Sequence, residues 1–178
     1  SFTWLSGLIA SIFYLNFESN WLEVTRKKVS IPNLKNKVPL KILHLSDLHF
    51  SSSVSLQDIE IAMREGFALN PDACLITGDF ITNQKTNEEL EQYSKLLAKF
   101  AQNVPIFASL GNHDGGEWTG SRGGYTNSQK VEMMLKNAGI KLLHNRRESV
   151  YLKGHALSIS GVGDLWSKTC LPQLCLPK

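Results

Sequence analysis

Three short polar motifs carry the residue types from which a working cation site is built: Ser46-Asp47-Leu48-His49, Gly78-Asp79-Phe80 and Gly111-Asn112-His113-Asp114. Carboxylate, imidazole and amide oxygen without thiolate suit manganese, iron or zinc in a reactive site better than a structural zinc cage. Asp47 and His49 stand two residues apart, which puts both on one face of an extended segment and makes them two ligands for one cation. A second cation a few ångströms away needs a shared anionic ligand, and Asp79, on the middle motif, is the natural bridge. Two such cations clamp the oxygens of an in-line phosphoryl displacement and lower the pKa of a shared water. His113 follows a ligand residue, Asn112, and precedes Asp114. With Asp114 holding the ring and favouring its protonated form, His113 becomes a proton donor to the leaving oxygen or a clamp on transition-state charge.

Each motif alone is weak, because a lone polar residue after a strand is usually a cap or turn former. Their positions make the case. Leu40 to Leu45, Ala73 to Thr77 and Pro105 to Leu110 read as strands, and each runs directly into one of the three motifs. Between them, Leu56, Ile59, Met63 and Phe67 recur at helical spacing before the stop at Asn70-Pro71, and Leu90, Tyr93, Leu97 and Phe100 line one face of a second helix. Val131, Met134, Leu135 and Ala138 mark a third helix ending at Gly139, followed by strand candidates at 141–143, 149–152 and 157–162. Strict alternation of strand and helix implies a largely parallel sheet, and the later strands a second, mixed one. The carboxyl ends of parallel strands share one edge, where ligands bind, so residues far apart in sequence are expected together there. Gly78 and Gly111 are expected to permit the sharp turn each ligand needs.

The chain has 178 residues, enough for one sizeable core, and its net charge of +3 is too small and too evenly spread to argue for a nucleic-acid partner. Three cysteines lack the paired spacing of a zinc site, and Cys74 lies in an apolar run that implies a buried thiol. His44, His144 and His155 read as packing or turn residues rather than ligands. The stretch 1–17 is uncharged and apolar, followed by Arg26, Lys27, Lys28, Lys35, Lys37 and Lys41 with no acidic residue between them. An apolar segment with a basic flank favours a membrane surface and a cytoplasm-facing catalytic domain, and no small-residue cleavage site follows it. The expected organisation is an apolar membrane-associating segment over 1–25, a basic linker over 26–37 and a catalytic domain over 38–178. After the third motif, the glycine-rich stretch 115–125 holds Arg122, a candidate phosphate-binding residue, with Trp118 and Tyr125 as candidate platforms for a base or an acyl chain. Asp164 and Trp166 read as structural.

Together the three motifs resemble the signature of the calcineurin-like metallophosphoesterases over roughly residues 38 to 170. The resemblance implies an α/β fold, a four-layer αββα sandwich of two mixed sheets flanked by helices, and a hydrolase acting on phosphoric ester or phosphoanhydride bonds. It implies two divalent ions, Mn2+ before Fe or Zn. Asp47 and His49 would hold the first, Asp79 would bridge, Asn112 would hold the second, and His113 would act in catalysis. Many members carry an acidic or amide residue three positions after the bridging aspartate, where this chain has Thr82. Members also add downstream histidines in a Gly-His-x-His element, of which Gly154-His155-Ala156-Leu157 keeps only the first half. The last ligands are therefore expected in a longer protein, with the C-terminal part of the domain beyond these residues. The apolar start, Trp21-Leu22-Glu23-Val24-Thr25 and Gly161-Val162-Gly163-Asp164-Leu165-Trp166 resemble a membrane-associated subgroup of bacterial phosphodiesterases and UDP-2,3-diacylglucosamine pyrophosphatases. The substrate this implies is a phosphoester or lipid-linked nucleotide diphosphate, UDP-2,3-diacylglucosamine of lipid A synthesis. The alternatives are a broad phosphodiesterase for soluble esters and a non-catalytic scaffold of the same fold.

Overall fold

The computed structural model describes residues 22–31 and 38–176. The chain divides into two units, Ser1–Ile31 and Pro32–Lys178. In the first, residues 22–31 form no helix or strand, and the apolar stretch expected to associate with a membrane lies up to residue 21 outside the described residues. Residues 32–37 of the expected linker lie outside them too. Among the described residues, no helix is long and apolar enough to cross a membrane.

The second unit begins as the alternation predicts. Strand β1 (Ile42–Leu45) leads to helix α1 (Leu56–Phe67), β2 (Ala73–Thr77), α2 (Asn87–Ala101) and β3 (Ile106–Ser109). A four-residue helix, α3 (Glu117–Gly120), precedes α4 (Gln129–Asn137), β4 (Lys141–Leu142) and a hairpin of β5 (Arg146–Leu152) and β6 (His155–Gly161). Ser55 and Thr86 begin α1 and α2, each accepting from the amide three residues on while Asp58 or Glu89 bonds back to the cap amide. These reciprocal bonds satisfy donors that a helix start leaves unpaired.

Strands β1 to β4 form a parallel sheet in sequence order, with Leu43 opposite Cys74 and Cys74 opposite Ile106. Side chains alternate across it, as the two-residue period of a strand requires. Cys74, Ile76, Ile106 and Ala108 face a core shared with Ile59, Met63, Tyr93, Leu97, Val131 and Leu135 of the helices. Ala73, Leu75 and Phe107 face the other way, against Val150, Leu152 and Ile159 of the hairpin. The architecture is therefore α/β, with helices on one face of the parallel sheet and a second, antiparallel two-stranded sheet on the other. Three of the four expected layers stand among the described residues, and the second sheet is antiparallel where a mixed one was expected.

The turn of the hairpin is pinned to the main sheet by Lys153, whose Nζ lies 2.8 Å from Asp72 Oδ1 just before β2. The other Asp72 oxygen accepts from the Lys41 amide at 2.8 Å. His155 opens β6 as a buried residue, and its Nε2 donates to the Val38 carbonyl at 2.7 Å. It is a buried strand residue, where a turn residue was expected.

Candidate metal centre

After β1 and β2 end, their chains stay side by side. The amides of Asp47, His49 and Phe50 donate to the carbonyls of Gly78, Asp79 and Phe80 at 3.2, 2.8 and 3.0 Å, and the Thr82 amide returns to the Phe50 carbonyl at 3.3 Å. This pairing is not extended. Asp47, His49 and Asp79 have φ of 55°, 46° and 53°, the left-handed region, and make up three of the seven non-glycine residues with positive φ among the described residues. Such backbone is uncommon outside glycine and costs on the order of 1–3 kcal/mol per residue, so it persists where surrounding bonds hold it and clusters at working sites. The expectation of an extended Asp47–His49 segment is corrected here. Leu48 between them is buried in the core, and the left-handed turns bring the two polar side chains to one edge.

One ligand atom each from Asp47, His49 and Asp79 lie within 4.8 Å of one another. His49 Nε2 is 3.5 Å from Asp79 Oδ2 and 3.7 Å from Asp47 Oδ1. Donors about 2.1 Å from a common ion lie roughly 3–3.5 Å apart at tetrahedral to octahedral angles, so two carboxylates and one imidazole at these separations fit a divalent cation with little adjustment. The Ser46 hydroxyl also donates to Asp47 Oδ2. The other Asp79 oxygen, Oδ1, accepts from the His113 amide at 3.0 Å, so this carboxylate spans the first and third motifs. Asn112 is half-buried in the turn between Gly111 and His113, the two residues that meet Asp79.

The glycines act differently from one another. Gly78 has φ of 77°, the turn expected of it. Gly111 does not need an unusual φ; it is needed for space, because a Cβ there would lie 2.1 Å from Asp79 Oδ1.

His113 stands between two rings. The His49 ring is edge-on at 4.9 Å between centroids, and the Trp118 ring is tilted at 4.8 Å. Its Nδ1 lies 2.9 Å from the Thr82 carbonyl, which only accepts, so Nδ1 carries a proton and Nε2 is the nitrogen left over. Asp114 was expected to hold this ring. Instead its fully buried carboxylate accepts from the amides of Phe80 at 2.8 Å and Ile81 at 3.4 Å through Oδ1, and of Gly111 at 2.9 Å through Oδ2. Burial pushes the Asp114 carboxyl up to about 7, against the Gly111 amide, with the Asp79 charge adding to the rise and the Phe80 and Ile81 amides opposing it. Asp114 is thus a positioning residue that ties the third motif to the second.

The 115–125 stretch is more ordered than a glycine-rich loop suggests. Arg122 is exposed, with Nη1 donating to the Trp118 carbonyl at 2.8 Å and its guanidinium 4.3 Å over the Trp118 ring, one ring removed from His113. Tyr125 is buried, exchanging hydrogen bonds with the Lys85 amide and carbonyl at 2.9 and 2.6 Å, so it is no free platform. Asp164 is structural as expected, accepting from the Ser167 amide, whereas Trp166 is 68% exposed and not a packing residue. His44 bonds Thr77 Oγ1 at 2.8 Å from β1. Two contacts with the site histidines were not foreseen, although Trp118 was expected as a substrate platform. Thr82 touches both site histidines, and Trp118 touches His113. Nothing in their residue types marks them, although Thr82 stands three positions after Asp79.

A parallel sheet whose strand ends gather Asp47, His49, Asp79 and the Gly111–Asp114 turn defines the class. The chain belongs to the calcineurin-like phosphoesterase family, whose model matches residues 40–176. It is 31% identical over 160 residues to the phosphodiesterase YaeI of Escherichia coli, covering 89% of this chain and 56% of that protein. It is 33% identical over 100 residues to the UDP-2,3-diacylglucosamine pyrophosphatase LpxG of Chlamydia trachomatis, covering 56% of this chain and 30% of that protein. An uncharacterized metallophosphoesterase of Campylobacter jejuni, Cj0846, is 28% identical over 166 residues, covering 90% of this chain and 40% of that protein. The chain thus spans about half the length, or less, of these relatives.

Proposed function

We propose that the protein containing this chain hydrolyses a phosphodiester or diphosphate bond with divalent metal ions, two Mn2+ before Fe or Zn. The observation that carries this reading is the cluster of Asp47, His49 and Asp79 donors at adjoining strand ends, with the His113 ring edge-to-face with that of His49. In this reading Asp47 and His49 would hold one cation. Asp79, which meets His49 through one oxygen and the His113 amide through the other, would be the ligand shared with a second cation, for which Asn112 would be a ligand. Bound divalent cations supply charge on the phosphoryl oxygens and lower the pKa of an attacking water. Water adds to phosphorus and the bond to the leaving oxygen breaks. His113, with Nδ1–H committed to the Thr82 carbonyl, directs Nε2 to that oxygen and, once Nε2 has taken up a proton from solvent, would deliver it to the leaving group and return to the neutral ring. Arg122, its guanidinium over the Trp118 ring, offers its remaining N–H donors to a substrate phosphate.

For the substrate we infer a lipid-linked nucleotide diphosphate, UDP-2,3-diacylglucosamine, handled at the cytoplasmic membrane surface. The similarity to LpxG and the apolar start with its basic flank support this reading. The alternative is a broad phosphodiesterase for soluble esters; the greater extent of the match to YaeI, named a phosphodiesterase, supports its phosphodiesterase part. Full-length protein loaded with Mn2+ should release UMP from UDP-2,3-diacylglucosamine in detergent micelles. Turnover of bis(p-nitrophenyl) phosphate without UMP release would leave the broad phosphodiesterase in its place. Metal binding with no turnover of either would favour the non-catalytic scaffold.

A further inference from the structure

We propose that Thr82 is the positioning residue that sets the orientation and tautomer of both site histidines, its hydroxyl acting on His49 and its carbonyl on His113. The inference rests on the metal-site reading above and assigns a role to the residue standing three positions after Asp79.

The hydroxyl makes two contacts with the same partner. Thr82 Oγ1 donates to the His49 carbonyl at 3.3 Å and lies 3.1 Å from His49 Nδ1. A threonine hydroxyl has one proton, and a carbonyl can only accept, so that proton is spent on the His49 carbonyl. The lone pairs of Oγ1 are then what Nδ1 meets, and His49 Nδ1 must be the protonated nitrogen. His49 Nε2, which faces Asp79 Oδ2 at 3.5 Å and Asp47 Oδ1 at 3.7 Å, is left with its lone pair for a cation. A histidine ligand held through its second nitrogen in this way is both aimed and made a better donor. The double contact also grips the left-handed backbone of His49, whose φ of 46° needs local support.

The carbonyl does the same for His113, accepting from Nδ1 at 2.9 Å and leaving Nε2 to meet the substrate. Thr82 is itself fixed, because its amide donates to the Phe50 carbonyl at 3.3 Å in the pairing that joins the first two motifs. One residue therefore acts through its side chain on the metal ligand and through its main chain on the proton donor. A side-chain substitution can separate the two.

The test compares Thr82→Val, which keeps the shape and the carbonyl, with Thr82→Ser, which keeps the hydroxyl. Full-length protein is titrated with Zn2+, and the imidazole N–H protons of the zinc-loaded forms are observed by NMR. Thr82→Val is expected to bind Zn2+ about 10–100-fold more weakly, the usual effect of losing such a partner. It should lose the slowly exchanging His49 Nδ1–H signal and keep that of His113 Nδ1–H, and Thr82→Ser should restore both affinity and signal. A merely structural threonine would show wild-type affinity and an unchanged His49 signal in Thr82→Val, which overturns the proposal. Failure of the wild-type protein to bind Zn2+ at all would overturn the metal-site reading and this inference with it, and is recognised separately by that control.

Discussion

Gly111→Ala tests the packing of the site more sharply than loss of a ligand, because it adds one methyl group and removes nothing. A Cβ at residue 111 would sit 2.1 Å from Asp79 Oδ1, 2.7 Å from the Asp79 amide nitrogen and 2.8 Å from Asp79 Cγ. Real Cβ contacts essentially never fall under 3.0 Å, so the carboxylate or the turn must shift by about 0.9 Å. The main chain has little room to retreat, since Gly78 approaches so closely that its own added Cβ would lie 2.5 Å from the Gly111 amide nitrogen. The carboxylate must move, and it is the group that meets His49 on one side and the His113 amide on the other. A displacement of about 1 Å in a reacting constellation costs on the order of 100-fold in rate. The substitution keeps the Gly111 amide that donates to Asp114 at 2.9 Å, so the fold should survive. In full-length protein, Mn2+ titration and hydrolysis of bis(p-nitrophenyl) phosphate should both fall steeply while the far-ultraviolet circular dichroism stays native. Wild-type metal affinity and rate in Gly111→Ala would refute the claim that Asp79 is confined by this turn.

Other expectations follow from the same geometry. Asp114→Asn replaces an acceptor facing the Gly111 amide with an NH2 group or misplaces the amides of Phe80 and Ile81, and should cost about 1–3 kcal/mol in chemical denaturation; an unchanged midpoint would contradict its positioning role. Cys74 is fully buried and its thiol is pushed up to about 12 by burial, so native protein should be alkylated at the part-exposed Cys170 long before Cys74; equal labelling by peptide mapping would show that the sheet opens. Asp72 is held below the usual carboxylate range, its burial outweighed by hydrogen bonds from Lys153 and the Lys41 amide and by their charges. Its contribution is therefore present above the unfolded carboxyl pKa and lost as pH falls through the lower folded value. Asp72→Asn should be less stable at neutral pH by about 1–2 kcal/mol, and that difference should shrink as pH is lowered through the carboxylate range. A gap that does not change with pH would assign the effect to packing instead.

The sheet and its helices were legible because their signals are periodic and local. Leu56, Ile59 and Met63 repeat at helical spacing, and the alternate residues of Ala73–Thr77 divide between two cores. The gathering of the three motifs followed from their places at strand ends. What local patterns did not reveal was how the chain holds the site. The left-handed backbone of Asp47 and His49 arises from pairing with residues 78–80, more than two dozen positions away. The sequence neighbour of His113 turned out to bond backbone amides, while the ring found the Thr82 carbonyl, 31 residues away. Main-chain acceptors are the same at every residue, so no residue type announces them. Trp166 reads as structural in the sequence, yet it is exposed beside the turn that Asp164 closes with Ser167, a setting its residue type does not announce.

The central claim is that Asp79 joins the first and third motifs in one metal centre that hydrolyses phosphate esters. Its most direct test is Mn2+ titration of full-length wild-type protein and Asp79→Asn, followed by electron paramagnetic resonance, with bis(p-nitrophenyl) phosphate hydrolysis measured on the same samples. The account predicts two spin-coupled ions and turnover in the wild type, and loss of both the coupling and the turnover in the variant. Two coupled ions and undiminished hydrolysis in Asp79→Asn would contradict it.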